Sequence, residues 1–150
     1  MKQHVAQSEL TQWLGDIEAI LGDCGGVQGK NTSAVLREAY GLIRQTPAGL
    51  VPVFGRSVAP ERFELLLQVG ALESAAIALL PAGVGYLFSR GPDGNCLASV
   101  VLPGLEQDVC VEGNSEALAL LVAFLNAGLN LLEQSGEGQA VASTGALYLN

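Results

Sequence analysis

The chain has 150 residues and a formal net charge of −8, with 49% apolar and only 15% charged residues. Plentiful apolar surface argues against intrinsic disorder, and a pI near 4.4 argues against direct binding to nucleic-acid phosphates, which needs clustered lysine and arginine. The length predicts a single domain over 1–150, with a helical subregion at 1–47 and an α+β core at 58–150.

The negative charge is concentrated in the last part of the chain. Residues 1–90 carry eight acids and seven bases, whereas residues 91–150 carry seven acids and no base. Such asymmetry produces a one-signed electrostatic field over the C-terminal part. It indicates either an acidic face that attracts a basic partner or charge that keeps an apolar domain in solution, and the sequence leaves both open.

Two antiparallel helices are predicted at the start of the chain. Apolar residues recur at helical spacing in the first, from Ser8 to about Leu21. A glycine-rich loop follows over 22–33, without the glycine spacing of a phosphate-binding loop. The second helix is predicted from about Ser33 to Gln45, with Thr32 or Ser33 as its N-cap.

The next stretch mixes extended and helical patterns. Leu50–Phe54 is typical of a β-like segment, limited to an edge or a connector because Pro52 cannot donate to a sheet. Pro60 then begins a third helix. This helix either continues past Gly70 or gives way to a short strand over 75–80.

Beyond Pro81 the pattern changes to three antiparallel strands. Val84–Arg90 and Cys96–Leu102 flank a turn at Gly91–Asn95, and Asp108–Glu112 forms a third, shorter strand. The second and third strands carry apolar residues on both sides. We therefore expect both faces of the sheet to be covered.

The most apolar segment, Ala117–Leu132, lies in a helix predicted from Glu116 to about Gln134. It is shorter than the roughly 20 residues that span a membrane, and acids flank it, so we expect a buried helix. Such a helix needs cover around most of its circumference. Either the first two helices provide this cover or a second subunit does. The residues of that candidate subunit interface are Leu121, Phe124, Leu125 and Leu129.

The end of the chain, residues 135–150, is rich in glycine, alanine and serine. Two short segments within it, Gln139–Ser143 and Ala146–Leu149, are compatible with a C-terminal hairpin. A disordered tail is the alternative. The predicted fold is therefore α+β: an N-terminal helical hairpin, a helix, a three-stranded antiparallel sheet, a long apolar helix and a possible C-terminal hairpin.

The sequence offers little for catalysis or metal binding. The single histidine, His4, lies in a polar stretch expected to fray, which removes the usual general base and zinc ligand. Cys24, Cys96 and Cys110 form no C-x-x-C pair, and the last two are expected to be buried and reduced. We find no signal-peptide pattern. The expectation is a non-enzymatic cytoplasmic protein with no catalytic residue, metal or cofactor; a carboxylate-based enzyme is the alternative.

The interrupted strand at Pro92–Cys96, the helix segment Leu118–Asn130 and the order of elements over 60–150 resemble the small acidic chaperones of type III secretion effectors. This resemblance implies dimerisation through the long helix and a neighbouring strand. It also implies that an extended effector segment is held on apolar patches without catalysis. The closing helix of that family has no counterpart here, and residues 1–50 are additional.

A second resemblance covers residues 74–132. Pro81, Gly83, Tyr86 and Ala117–Leu120 match positions of a sandwich domain found in phage accessory proteins. That family has no defined activity. The resemblance implies a phage-encoded protein, such as one that inhibits a host defence complex.

Both resemblances imply a protein that acts by binding another protein. We expect a chaperone- or adaptor-like module that forms a homodimer, and a phage-encoded inhibitor of a host defence complex is the alternative. Direct contact with nucleic acid or a membrane is not expected. The candidate partner-binding residues are the apolar strand positions Tyr86, Phe88 and Leu97, for which a place in the core is the alternative.

Overall fold

A computed structural model describes residues 2–24, 31–55 and 58–140, with side chains over 7–24, 31–55 and 58–134. This part of the chain has the predicted α+β fold. The helices are Lys2–Cys24 (α1), Thr32–Arg44 (α2), Val51–Phe54 (α3), Pro60–Gln68 (α4), Leu72–Ala78 (α5) and Glu116–Ala140 (α6). The strands are Gly85–Arg90 (β1), Cys96–Val101 (β2) and Val109–Gly113 (β3).

The helices α1 and α2 form the predicted N-terminal hairpin. Trp13 of α1 is buried and donates its indole N–H to a backbone carbonyl oxygen of α2 at 2.8 Å. The N-cap of α2 is Asn31, whose side chain accepts a hydrogen bond from the N–H of Ala34. The expectation that Thr32 or Ser33 caps this helix is therefore wrong, because Asn31 already supplies the acceptor.

The helix α1 is longer than predicted at both ends. It begins at Lys2 rather than near Ser8, so the backbone around His4 is helical instead of frayed. It also continues beyond Leu21 to Cys24. The apolar stripe that indicated this helix marks its buried side and not its full length.

The segment between α2 and α4 is helical where an extended segment was expected. A 3-10 turn at Ala48–Leu50 leads directly into α3, so the β-like interpretation of Leu50–Phe54 is wrong. Pro52 lies in the first turn of α3. Proline is tolerated at this position because its missing N–H would have had no partner within the helix.

The third predicted helix is divided by Gly70. This residue has φ +76°, a left-handed conformation that glycine adopts without a steric penalty, and it separates α4 from α5. Residues 75–78 belong to α5, so the short strand considered for 75–80 does not form.

The three strands pair antiparallel in the order β1-β2-β3, as predicted. Their register defines two faces. The face called inner here carries Tyr86, Phe88, Cys96, Ala98, Val100, Val109 and Val111. The face called outer carries Leu87, Ser89, Leu97, Ser99, Val101, Cys110 and Glu112.

The helix α6 lies across the inner face and forms the centre of the core. It packs on β2 and β3 on one side and on α5, α1 and α2 on the other. Phe54, from α3, packs between Trp13 and Phe124, with ring centroids 5.0 and 5.8 Å away. Gly128 permits this approach, since a Cβ atom there would stand 2.4 Å from the Phe54 ring.

Elements of the same chain therefore cover α6, which was the alternative to a subunit interface. Leu121, Phe124 and Leu125 are at most 1% exposed, and Leu129 is partly buried against the same core. The predicted subunit interface is corrected for Leu121, Phe124 and Leu125, because their side chains are buried within one chain. For Leu129, which is partly buried, the interface stays a prediction.

The first part of α6, Glu116–Gln134, is long and apolar enough to cross a membrane by length and by its mean hydropathy of 1.5, so the expectation that the apolar segment is too short to span is wrong. Half of this segment is buried inside the fold. Its position between the sheet and the helices agrees with the expected buried helix.

The C-terminal end of α6 overlaps the predicted hairpin. Gln139 and Ala140 are still helical, so a strand does not begin at Gln139 as expected. The rest of that hairpin, including Ala146–Leu149, lies outside the described residues.

Candidate protein-binding surface

The outer face of the sheet is open to solvent over the described part of the chain. Leu87 is 68% exposed, and Leu97 and Val101 are each 39% exposed. The expectation that both faces are covered is therefore wrong for these residues, because α6 covers the inner face alone. Because successive side chains along a strand point to opposite faces, every second residue lies on the face that α6 does not reach.

These three side chains form one continuous surface, here called the outer apolar patch: Leu87, Leu97 and Val101. Leu87 stands opposite Ser99 in the register, so Leu97 and Val101 are its two diagonal neighbours on β2. Diagonal neighbours in an antiparallel pair are about 7–8 Å apart, within reach of long side chains. The patch therefore presents apolar surface across the width of two strands.

Tyr86 and Phe88 lie on the inner face, on the edge strand β1, which α6 covers less than β2 or β3. Their rings are stacked, with centroids 6.3 Å apart. Tyr86 is exposed, and Phe88 is partly buried against the core. Of the three predicted partner-binding residues, Tyr86 and Phe88 therefore share one face, whereas Leu97 is on the other.

Two residues of the patch, Leu87 and Val101, were not among the predicted candidates. Leu87 has the largest exposed fraction among the large apolar side chains that the structure describes. Strand alternation in the sequence already separates Leu87 from Tyr86 and Phe88. It does not say which of the two faces α6 will cover, and so these residues were missed.

Carboxylates border the outer apolar patch on the β3 side. Glu112 stands directly opposite Leu97 in the register. Asp108, just before β3, accepts hydrogen bonds from the Ser99 hydroxyl and the Cys110 thiol. These two bonds hold the pKa of Asp108 below its usual range, so this carboxylate remains ionised at lower pH than an ordinary aspartate. The surface is thus apolar with a negative border.

The three cysteines occupy different environments, and all are free thiols. Cys96 is buried on the inner face, as predicted, whereas Cys110 is exposed on the outer face and corrects the expectation that it is buried. Cys24 is partly buried at the end of α1. Burial, with a smaller effect of Asp23 and Glu38, raises the pKa of the Cys24 thiol to about 11.

The described side chains form no cluster of three or more histidine, cysteine, aspartate or glutamate residues that could hold a metal ion. The ion pairs Arg37–Glu64 and Arg90–Glu116, both at 2.7 Å, join α2 to α4 and β1 to α6. These charged groups therefore connect elements of the fold, and the surface with the clearest potential for recognition is the outer apolar patch with its acidic border.

Comparison with known proteins finds no relative. The chain matches no protein-family model, no curated protein and no solved structure. The resemblances to secretion chaperones and to a phage domain thus stay predictions.

Proposed function

We propose that this protein is a non-enzymatic binding module, chaperone- or adaptor-like, that holds a partner protein against the outer apolar patch. The main support is the exposure of Leu87, Leu97 and Val101 on a sheet whose other face packs against α6. Burial of apolar surface stabilises an association by about 25 cal/mol per Å2. Contiguous apolar surface on a folded protein commonly marks an interaction site.

The acidic border indicates the chemistry of the partner. Glu112 and Asp108 lie beside the patch, and residues 91–150 contain no lysine or arginine to neutralise them. A partner segment with apolar residues next to lysine or arginine matches both properties. Exposed ion pairs contribute only about 0–1 kcal/mol each. The apolar contact therefore supplies most of the affinity, and the charge mainly guides association.

The experiment compares proteins retained from native lysate by the wild type, Leu97→Lys and Leu65→Lys. Leu65 is 56% exposed on α4, so its variant makes the same chemical change away from the sheet. We expect a partner that wild type and Leu65→Lys retain and that Leu97→Lys loses at least tenfold. Equal retention by all three proteins contradicts the proposal, and circular dichroism verifies that both variants are folded.

A further inference from the structure

The strand β1 is an open edge of the sheet. It pairs only with β2 among the described strands, and five of its six residues are exposed. The hydrogen bond from the Gly91 N–H to the Asn95 carbonyl oxygen identifies which opposing residues of β1 and β2 are hydrogen-bonded pairs: Gly91 and every second residue before it bond to β2. Because bonded pairs alternate in an antiparallel ladder, the backbone groups of Tyr86, Phe88 and Arg90 point away from β2. The edge therefore offers N–H and C=O groups ready to pair with another strand.

The two edges of the sheet differ in charge. The β3 edge carries Glu112, and Asp108 lies just before it. Charged residues on an edge strand are a usual means of preventing pairing with another chain. Residues Gly85–Ser89 of β1 carry no charge, and Arg90 is held by Glu116 at 2.7 Å. The β1 edge thus lacks the charge that keeps the β3 edge unpaired.

We infer that two copies of this chain pair antiparallel through β1, with Leu87 opposite Leu87 of the second copy. This register places Tyr86 opposite Phe88 of the second copy, so that the stacked rings of both copies lie on one face. It also pairs Gly85 with Ser89 of the second copy, which brings no charged side chains together. A register centred on Phe88 would instead set Arg90 against Tyr86 and compete with its ion pair to Glu116.

The placement of charge is what favours a second copy at this edge. Two chains of net charge −8 repel each other. Pairing through β1 leaves both acidic β3 edges at opposite ends of a six-stranded sheet, about 24 Å apart at roughly 4.8 Å per strand. That distance is well beyond the screening length of about 8 Å at physiological salt. The same pairing makes the two outer apolar patches continuous across the two-fold axis.

The test is sedimentation equilibrium of the full chain between low and high micromolar concentration. The wild type is expected to reach twice 15.5 kDa. Leu87→Lys and Leu87→Glu each place like charges together at the axis, so each is expected to weaken dimerisation at least tenfold. Val69→Lys is the matched control, because Val69 is 67% exposed at the end of α4 and should leave the dimer intact.

An equimolar mixture of Leu87→Lys and Leu87→Glu tests whether Leu87 lies near the two-fold axis, since closeness of the two residues 87 turns the two changes into an opposite-charge pair. Recovery of the dimer in the mixture supports the inference. A monomeric wild type, a dimer that Leu87→Lys does not weaken, or a mixture that stays monomeric overturns it. These measurements use purified protein alone. A negative result would therefore overturn the dimer without affecting the partner-binding proposal, which the Leu97→Lys experiment tests separately.

Discussion

The two faces of the sheet are made from neighbouring residues of the same strands, yet they have opposite surroundings. Val100 is completely buried beneath α6, whereas the next residue, Val101, is 39% exposed. Cys96 is buried on the inner face, whereas Cys110 is exposed on the outer face. Both faces carry apolar residues, but the fold uses only one face for its core. The apolar side chains on the other face are therefore available to a partner.

The largest loss of stability is expected from a substitution in the core, on the side of the inner face that α6 covers. Phe124→Ala removes a ring that is completely buried and packed against Phe54. A large-to-small change of this kind costs about 3–5 kcal/mol, because transfer energy is lost and a cavity remains. Urea denaturation measures this cost. A loss below about 1 kcal/mol would mean that α6 is not the centre of the core.

The rates at which the cysteine thiols are modified should differ between the two faces of the sheet. At neutral pH a water-soluble thiol reagent should modify the exposed Cys110 at least 100-fold faster than Cys96, which reacts only when the structure opens. Cys24 should also react slowly, because its pKa of about 11 leaves little thiolate. Mass spectrometry of digested protein gives each rate. Comparable rates for Cys96 and Cys110 would contradict the difference between the faces.

Two neighbouring valines of β2, one on each face, should differ in how much their truncation to alanine lowers the free energy of unfolding. Val100→Ala should cost about 2 kcal/mol, because two completely buried methyl groups are lost. Val101→Ala should cost less than about 1 kcal/mol, since part of this side chain already contacts water. Equal losses in urea denaturation would show that the outer face is covered in the folded protein.

The smallest effect concerns the acidic border. Ser99→Ala removes the hydrogen bond that lowers the pKa of Asp108 most, so this pKa should rise toward its ordinary value of 3.8. In the wild type the stabilisation is present above pH 3.8 and is lost as the pH falls through the lower folded pKa. The variant should therefore lose less stability between neutral and acidic pH.

The measurement for this border is an NMR titration of the Asp108 carboxyl carbon. Ser89→Ala is the control, because Ser89 shares the outer face but stands opposite Leu97 on β2. An unchanged Asp108 pKa in Ser99→Ala would show that the Ser99 hydroxyl does not bond to this carboxylate in solution.

Local patterns in the sequence were sufficient for the N-terminal helical hairpin, the three strands and the long helix α6. Strand-like apolar segments on either side of the turn at Gly91–Asn95 predicted β1 and β2, and the apolar run predicted α6. The helical segment around Pro52 was missed because proline suits either an extended connector or the first turn of a helix. The sequence left this choice to the packing of Phe54 against Trp13 and Phe124, which are distant in the chain.

The candidate surface was predicted less completely for a related reason. Tyr86 and Leu97 are exposed as a partner surface requires, but the register places them on opposite faces. The cover of α6 by α5 and Phe54, and not by a second copy, depends on contacts between distant segments. A periodic pattern shows that a side of a strand or helix is apolar, but it does not identify what covers that side.

The most direct test of the central claim is photo-crosslinking from the outer face. A benzophenone amino acid placed at Leu97, and separately at the exposed control position Leu65, is activated in cells that naturally make this protein. We expect position 97 to form an adduct of defined mass with another protein, and position 65 to form none of that mass. The absence of an adduct at position 97, or the same adduct from both positions, would contradict a partner-binding role for the outer apolar patch.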